Sequence, residues 1–264
     1  MKLRLSTFSR PPALDAAERD GLFAAEGLEI DVARATGSAA QLASLLAGEL
    51  DLVHTAADNV LARLDAGERD LRIYLVAELG VDLRLVARGV TSIGELAGRR
   101  LGVDAAWSGH ALLLYAVLER AGVRRGDHEA LALGSSAHRA AALREGRIDA
   151  ALLSPPHDAA AITEGAVVLA ECYREFPRHP GLTVAARPSW AARNGDALVG
   201  YLRALIAGQR TTGSAVPAIE AQRASLRGAL DLRRSVTGGP AGTDDDITRA
   251  FDPAYALRAE PALA

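Results

Sequence analysis

The sequence predicts an α/β protein folded as two similar lobes that close on a small molecule. Three observations predict this. Apolar runs bounded by turn residues alternate with helix-period segments along the chain. One stretch recurs: residues 35–51 read ATGSAAQLASLLAGELD and residues 132–149 read ALGSSAHRAAALREGRID. The length, 264 residues, is enough for two lobes with a core each.

In chain order, residues 2–8 read as a strand and 12–25 as a helix closed by Gly27. A strand over 28–35 and a helix over 38–47, stopped by Gly48, lead to a strand over 51–55. A helix over 57–66, ended at Gly67, precedes strands over 71–79 and 81–87. The second half opens with a helix over 92–97, a strand over 100–104 and a helix over 109–121 before Gly122. Strand 129–133, helix 136–145 with Gly146, strand 150–154, helix 156–163 and strand 166–170 follow. Strand 182–186, a helix over 188–207 capped by Gly208 and a helix over 215–230 complete the pattern, and 235–246 reads as an exposed loop.

Each copy of the repeat contains a strand end, Gly-Ser, a helix, Gly-x-[Leu/Ile]-Asp and an apolar strand; the Gly-to-Asp spacing differs by one residue. This is the material of a parallel sheet with right-handed crossovers. The expected lobes are 1–82 with 184–264, and 83–183, joined by two hinge crossings, with a parallel-rich sheet and flanking helices in each.

Composition narrows the function. The chain is 49% hydrophobic and 24% charged with a net charge of −3, so a clustered basic footprint for nucleic acid is not expected. Lys2 is the only lysine, a coding bias rather than chemistry. The single cysteine, Cys172, permits no internal disulfide and reads as a buried thiol. No apolar run is long enough for a membrane span and no secretion signal opens the sequence, so the expected location is cytoplasmic as written, or periplasmic or cell-surface if the start was trimmed. No HxH, HExxH or CxxC spacing is present, and neither a metal nor another cofactor is expected.

The segments GLFAAEGLEIDV (21–32), GSAAQLASLLAGELDLV (37–53) and SIGELAGRRLGV (92–103) resemble solute-binding proteins of ABC importers. The similar branch is the one that binds nitrate, sulfonates, taurine and thiamine pyrimidine precursors. The likeness runs over roughly residues 1–210. It implies the type II periplasmic-binding-protein fold, a small-molecule ligand, and an ABC permease as partner if the chain is exported. The same fold occurs in cytoplasmic lyases and decarboxylases, which the lack of a signal favours.

In an open parallel sheet, ligands bind at the carboxyl ends of the strands. The expected ligand contacts are therefore in the strand-to-helix loops: Ser9, Arg10, Gly37, Ser38, His54, Thr55, Trp107, Ser108, His110, Ser135, Ser154 and His157. Ser38 and Ser136 read either as helix N-caps or as anion contacts at a helix N-terminus. Trp107 either stacks on a flat ligand or plugs the site from below. His128, His138 and His179 read as surface or hinge positions. Asp58 and Asp158 either orient a nearby imidazole or favour the first turn of their own helices.

Two functions are expected from these residues. The first is binding of a small, anionic or aromatic organic molecule in the cleft between the lobes. The second is a lyase or decarboxylase on the same scaffold, with His54, His157 and Asp58 as acid–base groups. An effector-binding module is a third reading, against which the lack of a DNA-binding segment counts.

Overall fold

Two five-stranded sheets with the same internal order organise the chain. The computed structural model describes residues 1–264. The first run of elements is β1 (Lys2–Thr7), α1 (Pro12–Arg19), α2 (Leu22–Ala25), β2 (Glu29–Arg34), α3 (Ser38–Leu46), β3 (Leu52–Thr55), α4 (Ala57–Asp65) and β4 (Arg72–Val76). The second run is β5 (Arg84–Ala87), β6 (Arg100–Val103), α5 (Gly109–Arg120), β7 (Glu129–Ala132), α6 (Ser136–Arg144), β8 (Ala150–Leu153), α7 (His157–Thr163), β9 (Val167–Glu171) and α8 (Cys172–Glu175). The chain ends with β10 (Thr183–Ala186), α9 (Pro188–Arg193), α10 (Gly195–Thr211), α11 (Ile219–Thr237), α12 (Asp244–Ala250) and α13 (Ala254–Ala259).

Sheet 1 has the order β2-β1-β3-β10-β4 and sheet 2 the order β7-β6-β8-β5-β9. In each, three strands run parallel, and the fourth, β10 or β5, is inserted antiparallel between its neighbours. The inserted strands are exchanged along the chain. β5 follows β4 of sheet 1 yet belongs to sheet 2, and β10 follows β9 of sheet 2 yet belongs to sheet 1.

Contacts divide the chain into two units. Unit 1 is Met1–Leu79, Pro180–Leu230 and Gly242–Ala264; unit 2 is Gly80–His179 with Asp231–Ala241. The last segment belongs to unit 2 because α11 runs on past Leu230 and packs Leu232 and Val236 on that unit's core. In unit 1, strand alternation sends Leu52 and Val184 to the layer holding α1 and α10, and Val53 and Ala185 to the layer holding α3, α4 and α12. In unit 2, Leu101, Val103 and Leu152 pack on α5, while Val86, Ala151 and Leu153 pack on α6 and α7.

The repeat explains itself at this level. Asp51 accepts from the Arg4 amide at 2.9 Å, and Asp149 accepts from the equivalent Arg100 amide at 2.8 Å. These carboxylates tie strand starts together at the amino edge of each sheet. Asp51→Ala and Asp149→Ala are each expected to destabilise their own unit by about 1–2 kcal/mol in urea titrations, with ligand binding unaltered. The one-residue spacing difference also has a location. From the first residue of each repeat helix to the aspartate the counts agree, Ser38 to Asp51 and Ser136 to Asp149. The extra residue is therefore in the loop before α6, where Gly134 adopts φ 73°.

Several boundaries differ from the sequence expectation. The helix expected over 12–25 breaks into α1 and α2 at Gly21, whose φ of 68° leaves the helical region. The helix expected over 188–207 breaks at Asn194 into α9 and α10. The segment 92–97 forms only one 3₁₀ turn, Ile93–Leu96. Gly208 is not a cap but lies inside α10, where it faces α1 at close range. The expected loop at 235–246 is shorter, because α11 extends to Thr237 and α12 begins at Asp244. No helix is long and apolar enough to cross a membrane.

Candidate functional site

The carboxyl edge of sheet 2 collects the densest polar arrangement. It is formed where β6, β7 and β8 end and where antiparallel β5 begins, since Arg84 pairs with Leu153. Three helices start there. Ser108 caps α5, accepting from the Ala111 amide at 3.1 Å and donating to Asp104. Ser135 caps α6, accepting from the His138 amide at 3.3 Å. α7 begins at His157, one residue after Pro156.

Beneath the start of α6 is Arg139, 2% exposed. Its Nε donates to the Leu152 carbonyl at 3.1 Å, one terminal nitrogen to the Gly134 carbonyl and the other to Ser136 Oγ at 3.0 Å. Burial holds this guanidinium below its ordinary pKa, with Asp104 opposing the shift. Ser136 Oγ also accepts from the Ser154 amide at 3.3 Å, and the two serine hydroxyl oxygens are 3.1 Å apart. Sequence reading missed Arg139 because it looked like one more polar residue on a helix. The available signal was the repeat: with Ser38 set against Ser136, Arg139 falls on Gln41.

Gln41 occupies the matching place in unit 1. It is buried and donates to the Ser6 and His54 carbonyls, each at 3.1 Å. The His54 carbonyl corresponds to that of Leu152, each being on the third residue of its strand. One edge thus carries a buried cation and the other a buried amide at equivalent positions.

The expected site residues separate by environment. His54 is not in a loop. It lies on β3 with Leu52's facing, 1% exposed, and its Nε2 is 2.7 Å from the Tyr201 hydroxyl, which stacks on Phe23. Its Nδ1 has no partner, and burial alone drops its pKa to about 3. Thr55 is buried, its hydroxyl accepting from Asn59 at 3.0 Å; Asp58 is also buried. Arg10 is spent on exposed ion pairs with Asp15, at 2.6 Å, and Glu18, and Ser9 is exposed. The N-caps fall one residue earlier than expected: Gly37, without a side chain, caps α3, so Ser38 is its first residue, and Ser135 rather than Ser136 caps α6.

In unit 2, Trp107 is 51% exposed and meets Tyr115 edge-on at 6.4 Å, so it is a surface aromatic and not a buried plug. Arg125 covers the Tyr115 ring at 4.0 Å, and His128 stacks on it at 5.8 Å. His110, half-buried, is held below its ordinary pKa by desolvation, as is His179, which falls to about 4 with His110 contributing. His157 turns to the helical flank, lining a hollow of about 110 Å³ between α6 and α7 with Arg88, Arg144 and Glu164. Asp158 does not orient an imidazole: fully buried, it pairs with Arg84, which also reaches Glu171 at 3.4 Å. A larger cavity, about 590 Å³, opens near the amino end of β1 between Met1, Leu28, Asp196 and Arg203 and contains none of the expected residues. No cluster of three or more His, Cys, Asp or Glu side chains is arranged to hold a metal ion.

Comparison with known proteins fits this architecture. Residues 11–226 match the model of the NMT1-like family. No curated protein matches the sequence. Among solved structures, a protein from Bordetella bronchiseptica RB50 is 19% identical, with a TM-score of 0.74 over 99% of this chain and 97% of that one. The alkanesulfonate-binding protein SsuA from Xanthomonas axonopodis pv. citri, bound to MOPS, is 21% identical, with a TM-score of 0.66 over 94% of this chain and 82% of that one. The periplasmic nitrate-binding protein NrtA from Synechocystis PCC 6803 is 13% identical, with a TM-score of 0.69 over 94% and 68%. At these identities the likeness establishes the fold, that of the periplasmic binding proteins.

Proposed function

This chain belongs to the NMT1-like family, and on that premise we propose that it is a solute-binding protein for a small anionic organic molecule. The ligand is held at the carboxyl edges of the parallel strands, where open α/β sheets bind their ligands. One observation carries the reading: the buried Arg139 guanidinium, with no carboxylate hydrogen-bonded to it, stands behind the Ser136 and Ser154 hydroxyls at such an edge. Ser135 and Trp107 stand on loops of the same edge and complete the set of contacts, whereas the Ser108 proton is committed to Asp104. The structural relatives that bind an alkanesulfonate and nitrate agree with an oxyanion as the recognised group. Delivery to an ABC permease outside the cytoplasm belongs to the same proposal.

The lyase reading draws no support from its own residues. His54 is sealed against Tyr201, and His157 faces the α6–α7 hollow. The test is a thermal-shift screen of the full chain against methanesulfonate, ethanesulfonate, taurine, MOPS, nitrate and short carboxylates. A ligand that binds only the folded state at about 100 times its Kd adds about 2.7 kcal/mol. At least one organic anion is expected to raise Tm and to be recovered unchanged after incubation. No shift with any of them would overturn the reading, and conversion of a hit would replace binding by catalysis.

A further inference from the structure

We propose that Arg139 is the positioning residue that sets the charge preference of this site, directing Ser154 to bind a sulfonate or carboxylate oxygen. The proposal rests on the solute-binding reading above and adds which group discriminates charge.

The fold by itself does not require a cation here. Gln41, at the equivalent place in unit 1, performs the same structural task by bridging the α3 helix to the His54 carbonyl at 3.1 Å. In unit 2 an arginine makes that bridge to Leu152 at 3.1 Å. Burying a guanidinium is costly unless a carboxylate compensates it. No carboxylate is hydrogen-bonded to Arg139; Asp104, the acid that acts on it electrostatically, is bonded to Ser108. The positive charge is therefore retained at a position where a neutral amide suffices for the fold.

Hydrogen-bond counting shows where that charge is felt. A serine hydroxyl accepts two hydrogen bonds and donates one. Both acceptor positions of Ser136 Oγ are taken by N–H donors, Arg139 at 3.0 Å and the Ser154 amide at 3.3 Å. The two hydroxyl oxygens are 3.1 Å apart, and with both acceptor positions of Ser136 filled we assign the proton between them to Ser136. The Ser154 hydroxyl, accepting that bond, has its own proton free for an acceptor at the edge. Guanidinium, Ser136 and Ser154 form a relay that presents a donor, and a chain of bonds starting from a cation polarises each hydroxyl in the donating sense. Ser136 and Ser154 are both half-buried, so the relay ends at the surface while its charge does not. An uncharged ligand of the same shape gains the hydrogen bond but little of the electrostatic attraction.

The test uses ethanesulfonate and its uncharged isostere ethanesulfonamide, titrated calorimetrically into the full chain. Wild type is expected to prefer the sulfonate. Arg139→Gln, which copies the residue unit 1 already uses, is expected to weaken ethanesulfonate binding about tenfold or more and ethanesulfonamide binding by less than about threefold. Arg139→Lys is expected to recover part of the preference. Ser136→Ala, which cuts the relay between the buried arginine and the Ser154 hydroxyl and leaves both in place, is expected to show the same selective loss, and it carries the test if Arg139→Gln does not fold. Equal losses for the two probes, or unchanged affinity for both, would assign Arg139 a structural role and overturn the proposal while leaving the solute-binding reading standing. A wild type that binds the sulfonate no better than the sulfonamide would remove the oxyanion assignment itself.

Discussion

Lowering the pH from 7 to 5 is expected to cost the folded protein about 2 kcal/mol through His54 alone. The imidazole is buried on β3, and desolvation lowers its pKa from 6.5 to about 3. The folded value is below the unfolded one, so the sign is fixed. Below pH 6.5 the unfolded chain binds a proton that the folded chain refuses. The stabilisation is complete above pH 6.5 and is lost as the pH falls toward 3. His179 in unit 2, lowered to about 4, acts in the same direction. Urea unfolding of wild type and His54→Phe at pH 7, 6 and 5 checks this. The variant loses the Tyr201 partner and is less stable at pH 7, but its pH slope is expected to be flatter. Parallel slopes would remove His54 as the acid-sensitive group.

The second large effect is steric. A Cβ at Gly208 would stand 2.3 Å from the Ala13 carbonyl oxygen, 2.9 Å from Ala17 Cβ and 3.0 Å from the Ala17 amide nitrogen. These are mostly backbone atoms of α1 and cannot yield as a side-chain tip can. Gly208→Ala is expected to destabilise by about 1–3 kcal/mol despite the better helix propensity of alanine, and Gly208→Leu to prevent unit 1 from folding. Gly228→Ala in α11 is the control. Nothing is within 4 Å of its added methyl group, so propensity alone acts and the change is expected to stabilise by up to about 1 kcal/mol. Equal guanidinium midpoints for the two alanine variants would refute the close-approach argument.

How much of this was legible in the sequence depends on the range of the interaction. The strands and the repeat helices are governed by local patterns, and the order of elements follows from alternation such as Leu3-Arg4-Leu5-Ser6 and from glycine stops. The family likeness and the α/β class were readable for the same reason. His54 was misplaced because its decisive partner, Tyr201, is 147 residues away and nothing local announces it. Asp158 stands in the first turn of α7, one of its two expected roles, but its partner Arg84 comes from a strand 74 residues earlier and nothing local announces that pair. The caps moved by one residue because a glycine can cap a helix without a side chain, and the Gly-Ser pairs of the two copies are not structurally equivalent. Arg139 and Gln41 each stand three residues after the first residue of their repeat helix, so the repeat brings two buried polar side chains to one position, while their burial depends on the strands packed beneath.

The exchanged strands bear on how the chain is made. As synthesis proceeds from the N-terminus, β4 emerges with no neighbour, because the one strand it pairs with is β10 and its bridge to Phe251 comes later still. Sheet 2 has all its strands once Glu171 has left the ribosome, whereas sheet 1 must wait for Ala186 before its gap between β3 and β4 is filled. The unit begun first is therefore finished second, and its nascent β3 and β4 edges stay open during that interval, when unpaired edges are prone to aggregation.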